Sequence, residues 1–459
     1  MGGDGRGGRL TAAVVAGDAE AVRVLLAEGA DPDTADANGL PVLCAAVAAY
    51  DAAVAAALVD GGADPDRLLP DGTTPLWRAV DGGSYAVFSA VLGTEPRLRL
   101  PEAVRGRLVA LARGWYETGA ARELRRRTGA VGPVTTERVT DDAYDWVERV
   151  SLGGLTVRAG HGAVLSALEW AFLILTPVDE LVARAVRQPD EEHVDWFAAC
   201  WVLVGRRSDE TWSAVIAHRH HRDPARRRFV ADYLRMRSFV DTGDKHYGKE
   251  ENELLLAWAA EETDSAVLAK VLGALTEYEH PGQEAIGLRH AGHSDPRVRR
   301  EVPWTLVTNN GLRSAAARDV MLALTRDPDA EVRLRACSVG ANDDVPHPEV
   351  TEALLLMTGS PDVAVRRGAV VTLAASRDDA PAVTDALMAG LDDDDQLFRL
   401  EAAWGLARRD DPRTEEAYER VGPLGPGFED DHRAQELRQW RGRRKDADDA
   451  SATRAATAS

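Results

Sequence analysis

Any chemistry in this chain of 459 residues has to come from its histidines, its arginines or its tryptophans. His280, His290 and His293 fall close together, and converging imidazoles are a common start for a metal site. No acidic residue or cysteine completes them at a recognisable ligand spacing, so no metal is expected. The segment His218-Arg-His-His-Arg222, followed by Arg226-Arg-Arg228, is the most basic patch. It carries the charge to meet a phosphate backbone or an acidic partner. Only one aromatic residue, Phe229, adjoins it, which leaves no platform for stacked bases. The plainer reading is a solvated loop ahead of a helix that starts at Asp223-Pro224. A third basic set, Arg299, Arg333, Arg366 and Arg399, recurs at regular spacing. Gly153-Gly154 and Gly160-His-Gly162 lack the spacing and the lysine of a phosphate loop. No serine sits in a nucleophile-elbow pattern. The expectation is a protein that is not an enzyme, with no catalytic residues and no cofactor.

Bulk properties narrow the partners. Asp and Glu outnumber Lys and Arg by 75 to 55, giving a net charge of −20. A field of that sign repels nucleic acid and anionic lipid, so neither is expected as a partner. Lysine is confined to Lys245, Lys249, Lys270 and Lys445, and Ala, Gly, Asp and Val are abundant, a composition pointing to a high-GC bacterial genome. Cys44, Cys200 and Cys337 lie far apart and form neither a metal spacing nor a disulfide framework, so the cytoplasm is the expected location. The start, MGGDGRGGRL, has no apolar signal core and puts Arg6 where a myristoylation site wants Ser or Thr. The most apolar run, 163–175, is too short to span a bilayer and contains Glu169, so it is read as a buried helix.

The elements that carry these side chains are set by repeats. Residues 1–8 are Gly-rich and expected to be disordered. Gly29-Ala-Asp-Pro-Asp33 returns as Gly62-Ala-Asp-Pro-Asp66, and Asp71-Gly-Thr-Thr-Pro-Leu76 opens a third unit. Each unit reads as a turn, a short Ala-rich helix, a break at Gly17, Tyr50 or Gly83, and a second apolar helix. Val22, Leu25 and Leu26 share one helical face that a single unit cannot bury, so neighbours must cover it. These motifs resemble the ankyrin repeat, over 9–95. The resemblance implies paired antiparallel helices with projecting hairpins. Cys44 and Trp77 stand at the family's histidine position, and the third unit has no closing turn of the same kind. Three units are near the minimum for stability, so the block is expected to dock onto the adjoining helical region.

A linking region, 96–189, comes next. Runs 101–116 and 120–127 read as helices, while 131–139 and 155–158 read as a small hairpin around a helix at 142–150. Residues 166–175 and 178–186 read as an antiparallel helix pair split by Pro177.

From about 190 to 422 the breaks suggest further helix pairs. The units Asp295-Pro-Arg-Val298-Arg299, Asp327 to Val339 with its Val332-Arg333, Asp362-Val-Ala-Val365-Arg366 and Asp395-Gln-Leu-Phe398-Arg399 place their apolar anchors 34, 33 and 33 residues apart. This resembles HEAT repeats of the short bacterial kind. In such families the turn acids and helix arginines form a ladder between units. Asp327 stands six residues before Arg333 and Asp393 six before Arg399, so these four are assigned to that ladder. A loop is expected at 239–250. After Gly422 a capping helix over 431–441 and a polar disordered tail complete 423–459.

Two HEAT-like enzyme families can be set against this chain by their motifs. Deoxyhypusine hydroxylases bind iron through His-Glu dipeptides; here only the reverse order occurs, Glu192-His193 and Glu279-His280. Alkylpurine DNA glycosylases use aromatic and basic residues on the concave face, where Trp258, Trp304 and Trp404 are the local candidates. Tryptophans at helical spacing more often fill gaps between helices.

The fold class expected is all-α: an α-solenoid made of an ankyrin block followed by HEAT-like repeats. Such stacks offer long shallow surfaces rather than closed pockets. The function expected is an adaptor or scaffold for an unknown protein or peptide, monomeric and off the membrane. The alternative is a HEAT-like DNA-binding or glycosylase-type protein. The ankyrin resemblance implies contacts at hairpin tips and inner helices, which map to Asn38, Leu40, Leu68, Leu69, Pro70, Asp71, Thr73 and Asp81. Leu68-Leu69-Pro70 is the leading candidate, read as an exposed apolar tip without structural duty.

Overall fold

The computed structural model describes every residue except 1–2, 37–38, 241–245, 309–310, 344, 346, 426–427, 429–430 and 458–459. It divides into two compact units, Met1–Thr242 and Gly243–Ser459.

The first unit opens with three helix pairs: α1 (Gly3–Ala16) with α2 (Ala19–Ala27), α3 (Val42–Ala49) with α4 (Ala52–Asp60), and α5 (Pro75–Gly82) with α6 (Tyr85–Leu92). Helix α1 begins at Gly3, so disorder across 1–8 is not what the structure shows for 3–8; Thr11 Oγ1 ties its first turns through Gly7 O at 3.0 Å. The three breaks are sharp because Gly17, Tyr50 and Gly83 sit in the left-handed region, at φ 72°, 58° and 72°. The next residue in each case, Asp18, Asp51 or Ser84, accepts a backbone N–H of the following helix. The paired acidic turns bond to each other: Asp64 N–H donates to Asp33 Oδ1 at 3.0 Å. Where the third unit lacks such a turn, Arg99 replaces it. This arginine pairs with Asp66 and donates to the carbonyls of Leu92 (2.8 Å) and Thr94 (3.0 Å).

The block docks as expected. After the short α7 (Pro96–Arg99), Leu108 and Ala112 of α8 (Glu102–Thr118) share one core with Leu76, Val80 and Phe88. Val164, Leu165 and Leu168 of α10 (His161–Ala171) join that same core. Between them lie α9 (Ala120–Thr128) and a three-stranded antiparallel sheet in the order β1 (Thr135–Thr140), β2 (Trp146–Leu152), β3 (Leu155–Arg158). The helix expected at 142–150 is therefore wrong. Asp142 Oδ1 accepts the N–H groups of Tyr144 and Asp145, both at 2.8 Å, which makes a turn. From Trp146 the chain is extended, with Val147, Val150 and Leu152 buried.

The remaining helices of this unit are α11 (Val178–Ala185), α12 (Val194–Gly205), α13 (Asp209–Ala217) and α14 (Pro224–Val240). Helix α12 packs on α10 and α11, and α14 packs on α12. So the helices from α12 to α14, read from sequence as the start of the HEAT-like array, pack within the first compact unit.

The second unit is a helical stack. Its pairs are α15 (His246–Glu261) with α16 (Ser265–Leu275), α17 (Gln283–His290) with α18 (Pro296–Thr305), α19 (Ala315–Leu324) with α20 (Ala330–Gly340), α21 (Pro348–Met357) with α22 (Val363–Ala375), α23 (Pro381–Gly390) with α24 (Gln396–Arg408), and α25 (Thr414–Val421) with α26 (His432–Thr457). Two two-residue strands, β4 (Val307–Thr308) and β5 (Gly311–Leu312), come after α18. The loop expected at 239–250 lies partly outside the described residues, and α15 is already helical at His246.

Repetition here has a local cause. Asp264, Asp295, Asp329, Asp362 and Asp395 each cap the second helix of a pair through one side-chain oxygen. Three residues on from the last four, Val298, Val332, Val365 and Phe398 point into the core. The capping helix is longer than expected: α26 runs to Thr457, through residues read as a disordered tail. Ala434, Leu437 and Trp440 on its first turns close the core. Beyond them the run of alanine and charged residues has the propensity to continue the helix.

Candidate functional site

The eight ankyrin-derived candidates do not form one surface. Asn38 lies outside the described residues. Leu40 and Thr73 are half-buried, and Pro70 and Asp71 are exposed. Leu68 is 74% exposed, as a contact residue should be, but Leu69 is only 4% exposed. The Leu69 backbone closes the hairpin, donating to Thr73 O at 2.9 Å and accepting from Gly72 N–H at 2.9 Å. The reading of Leu69 as a tip without structural duty is corrected: in a tight hairpin, adjacent side chains face opposite ways.

Asp71 is held locally. Its Oδ1 accepts the Thr73 hydroxyl at 2.6 Å and the Thr73 N–H at 3.0 Å, and its Oδ2 accepts Arg78 at 2.9 Å. The Thr73 hydroxyl, followed by that N–H and Arg78, holds the carboxyl down at about 2. Asp81 is corrected more strongly. Its carboxylate accepts Trp115 Nε1 at 2.7 Å and Arg127 at 2.8 Å, while its carbonyl meets His161 Nε2 at 3.2 Å. This aspartate ties α5 to the linking region and is not free for a partner.

The ladder exists with different partners. Arg333 donates to the carbonyl of Asp327 (2.7 Å) and of Pro328 (3.1 Å), not to the Asp327 carboxylate. Arg399 does the same to Asp393 (2.7 Å) and Asp394 (3.0 Å). The six-residue offset therefore caps backbone carbonyls within one repeat. The carboxylates reach back a repeat instead. Asp327 receives Arg299 on both oxygens, each at 2.7 Å, and Asp393 receives Arg367. Arg300 to Asp329, Glu301 to Arg335 and Glu401 to Arg433 are further rungs. Arginines committed in this way do not line up as a stripe for phosphates.

The histidines serve turns. His221, His280 and His293 each accept, at Nδ1, the N–H two residues ahead. His290 Nε2 meets the Ala259 carbonyl at 3.2 Å. Of the tryptophans, Trp258 is buried with Nε1 on Glu262 at 3.0 Å, Trp304 is exposed, and Trp404 is half-buried with Nε1 donating to Glu436.

A surface that sequence reasoning missed lies at the end of α10. The helix stops at Ala171, and beyond it Leu173, Ile174 and Leu175 are 57%, 44% and 73% exposed. Leu173 is left-handed, at φ 58°. On α12, Phe197 and Trp201 stack at 6.1 Å, and Trp201 is 48% exposed. One turn further along, the Trp170 ring lies beside Gly205. The sequence carries a signal for this surface: the apolar run 163–175 is longer than the helix that buries its first part.

Two largely buried acids of the first unit and two ladder acids of the second titrate in opposite senses. Burial pushes Asp145 up to about 7, reinforced by Asp142 and Asp141, and pushes Asp195 up to about 6 against the pull of His193. In the ladder, burial opposes ionisation of Asp327, but Arg299 and the Asp329 N–H outweigh it and hold the carboxyl low. Arg367 holds Asp393 low. A raised carboxyl contributes stability below its unfolded pKa of about 3.9 and loses it as pH climbs through the folded value; a lowered one does the reverse. Amide exchange, corrected for intrinsic rates, is therefore expected to show stronger protection of β1 and β2 near about pH 5 than near about pH 8. Protection of α20 and α24 is expected to fall only below about pH 4. Parallel behaviour of both regions would refute this assignment.

Comparison with known proteins agrees with the repeats. Residues 10–99 match the family model described as ankyrin repeats (3 copies), and residues 318–407 match the one described as HEAT repeats. Nothing among curated proteins matches the chain. Among solved structures it is similar to YibA of E. coli, at 16% identity and a TM-score of 0.40, over 54% of this chain and 93% of that one. Among the described residues no helix is long and apolar enough to cross a membrane.

Proposed function

We propose that this chain, with ankyrin repeats at 10–99 and HEAT repeats at 318–407, is an adaptor or scaffold that holds a protein or peptide partner and carries out no reaction of its own. Repeats of both families are protein-interaction modules that present extended surfaces. The proposed location is the cytoplasm, in keeping with Cys44, Cys200 and Cys337 all free and buried. The ladder arginines support a protein partner over a nucleic acid, since their guanidinium groups are committed to carbonyls and carboxylates.

The observation that carries the reading is the turn after α10. Three consecutive aliphatic side chains stand in water there, and Leu173 adopts a backbone conformation costing about 1 kcal/mol in a non-glycine residue. The left-handed Leu173 is held by the bonds that close α10, Leu173 N–H to Trp170 O at 3.0 Å and Ile174 N–H to Glu169 O at 2.7 Å, but nothing in the turn covers the three side chains. A contiguous apolar surface of that kind marks a protein contact.

Leu173→Gly tests this directly. Glycine is at ease with positive φ, so stability should hold or rise by up to about 1 kcal/mol. Leu175→Ser should change stability by less than about 0.5 kcal/mol. Partner recovered on the native chain by affinity purification from the source organism is expected to fall at least about tenfold on both variants, a loss of about 1.4 kcal/mol in binding. Full recovery on both, with melting unchanged, would remove this turn from the interface.

A further inference from the structure

The linking region holds a cavity of about 240 Å³ that the adaptor reading does not use. Its walls come from the end of α8 (Trp115, Tyr116), the start of α9 (Ala120, Ala121), the sheet (Thr136, Glu148, Val150), the start of α10, the segment after α11 and the start of α12. The aromatic walls are fixed from behind. Trp115 stacks on His161 at 4.7 Å and lies under Arg127 at 4.4 Å. Tyr116 carries Arg187 over its ring at 4.7 Å, and the same guanidinium donates to the Tyr116 carbonyl at 3.0 Å. This volume holds several waters or one compact organic group, about one amino-acid side chain.

The cavity contains a carboxylate with one oxygen that no protein group among the described residues bonds. Asp195 is 5% exposed and lines the wall. Its Oδ1 accepts the Ala163 N–H at 2.6 Å in the first turn of α10. Gly162 permits this approach, because a Cβ there would stand 2.5 Å from Oδ2. Among the described residues, no hydrogen bond reaches Oδ2. His193 Nδ1 is 3.9 Å away and already accepts the Asp195 N–H at 3.2 Å, so it is not a donor to Oδ2. The other acid, Glu148, is satisfied by His193 Nε2 at 3.1 Å and Gln188 at 3.0 Å, yet a carboxylate can accept further bonds. A buried carboxylate facing an open cavity with one oxygen unbonded calls for a charged N–H donor.

We propose that this cavity binds a compact organic cation, a guanidinium or primary ammonium group, whose N–H groups bond to Asp195 Oδ2 and whose alkyl stem lies along Ala120, Ala121 and Val150. The group comes either from a free small molecule or from a basic side chain of a protein partner. The proposal stands without the adaptor reading, since the cavity is complete within this chain. Burial holds the Asp195 carboxyl near 6 against the pull of His193 and Arg187, neither of which donates a hydrogen bond to Oδ2.

The test uses the full chain and agmatine as the free cation, with butylurea as a neutral analogue. Agmatine is expected to raise Tm and to bind in calorimetry, and butylurea to do neither. Asp195→Asn keeps an oxygen for the Ala163 N–H and removes the charge; affinity should fall at least about tenfold, or 1.4 kcal/mol. Thr136→Trp places a large side chain from an exposed, strand-compatible position at the cavity wall and should abolish binding even if Asp195→Asn fails to fold. A short alanine-rich peptide with one central arginine separates the sources. Binding of agmatine alone assigns the cavity to a free small cation, and comparable binding of the peptide assigns it to a partner's side chain. Absence of agmatine binding, or binding indifferent to both substitutions, would overturn the proposal.

Discussion

Replacing Glu169 by alanine is expected to lower the stability of the first unit by about 3–5 kcal/mol, the largest single-site effect in that unit. Glu169 and Arg184 are both almost fully buried, and Arg184 donates to Glu169 Oε2 at 2.7 Å. The same oxygen accepts the Thr176 hydroxyl at 2.6 Å, and Arg113 pairs with the other. Removing the carboxylate leaves a guanidinium in the interior whose remaining hydrogen-bond partners among the described residues are Ser166 at 3.2 Å and Glu180. It also frees Thr176, which anchors the far side of the turn carrying Leu173 and Leu175. The double variant Glu169→Leu with Arg184→Leu should recover most of the loss, because apolar groups of similar volume need no partner. Urea unfolding of the two variants beside the native chain checks this. A loss below about 1 kcal/mol for Glu169→Ala would mean that Arg184 finds water, which a 1% exposed side chain should not.

In the second unit, Asp327→Ala is expected to cost about 3–5 kcal/mol and to broaden the unfolding transition. The Asp327 carboxylate accepts Nε and Nη2 of Arg299 from the preceding repeat and also accepts the Asp329 N–H at 2.8 Å. The pair is largely buried, with side chains 11% and 6% exposed. Loss of a rung in a stack of nearest-neighbour contacts weakens the coupling between repeats, so the two sides of the break should melt separately. Arg333→Ala, by contrast, removes bonds to two carbonyls near solvent and should cost about 1 kcal/mol without broadening. Arg299→Ala should match Asp327→Ala, and the double variant should be much less than additive. Equal effects of Asp327→Ala and Arg333→Ala would restore the pairing suggested by their spacing.

That spacing illustrates the difference between local and distant information. Asp329, Asp362 and Asp395 bond to N–H groups two or three residues ahead, so their role as helix starts can be read from the chain alone. The acidic turns at 29–33 and 62–66 and the breaks at Gly17 and Gly83 are of the same kind, since φ preference and capping act within one turn of helix. Repetition of these short signals makes both repeat arrays legible, and with them the fold class.

What needed the tertiary structure involves distance along the chain. Asp327 meets Arg299, 28 residues back, rather than Arg333, six residues ahead, because the next repeat brings the earlier arginine to the carboxylate. Leu69 turns inward while Leu68 faces water, a choice made by the hairpin's two backbone bonds. Asp81 is consumed by Trp115 and Arg127, which the linking helices deliver from 34 and 46 residues away. Strand β2 exists because β1 and β3 lie on either side of it; alone, 142–150 satisfies a helical pattern equally well. The turn after α10 is apolar enough in sequence to read as core. Apolar composition says that a side chain can be buried, and only the packing of α10 against α12 decided that Leu173 and Leu175 are not.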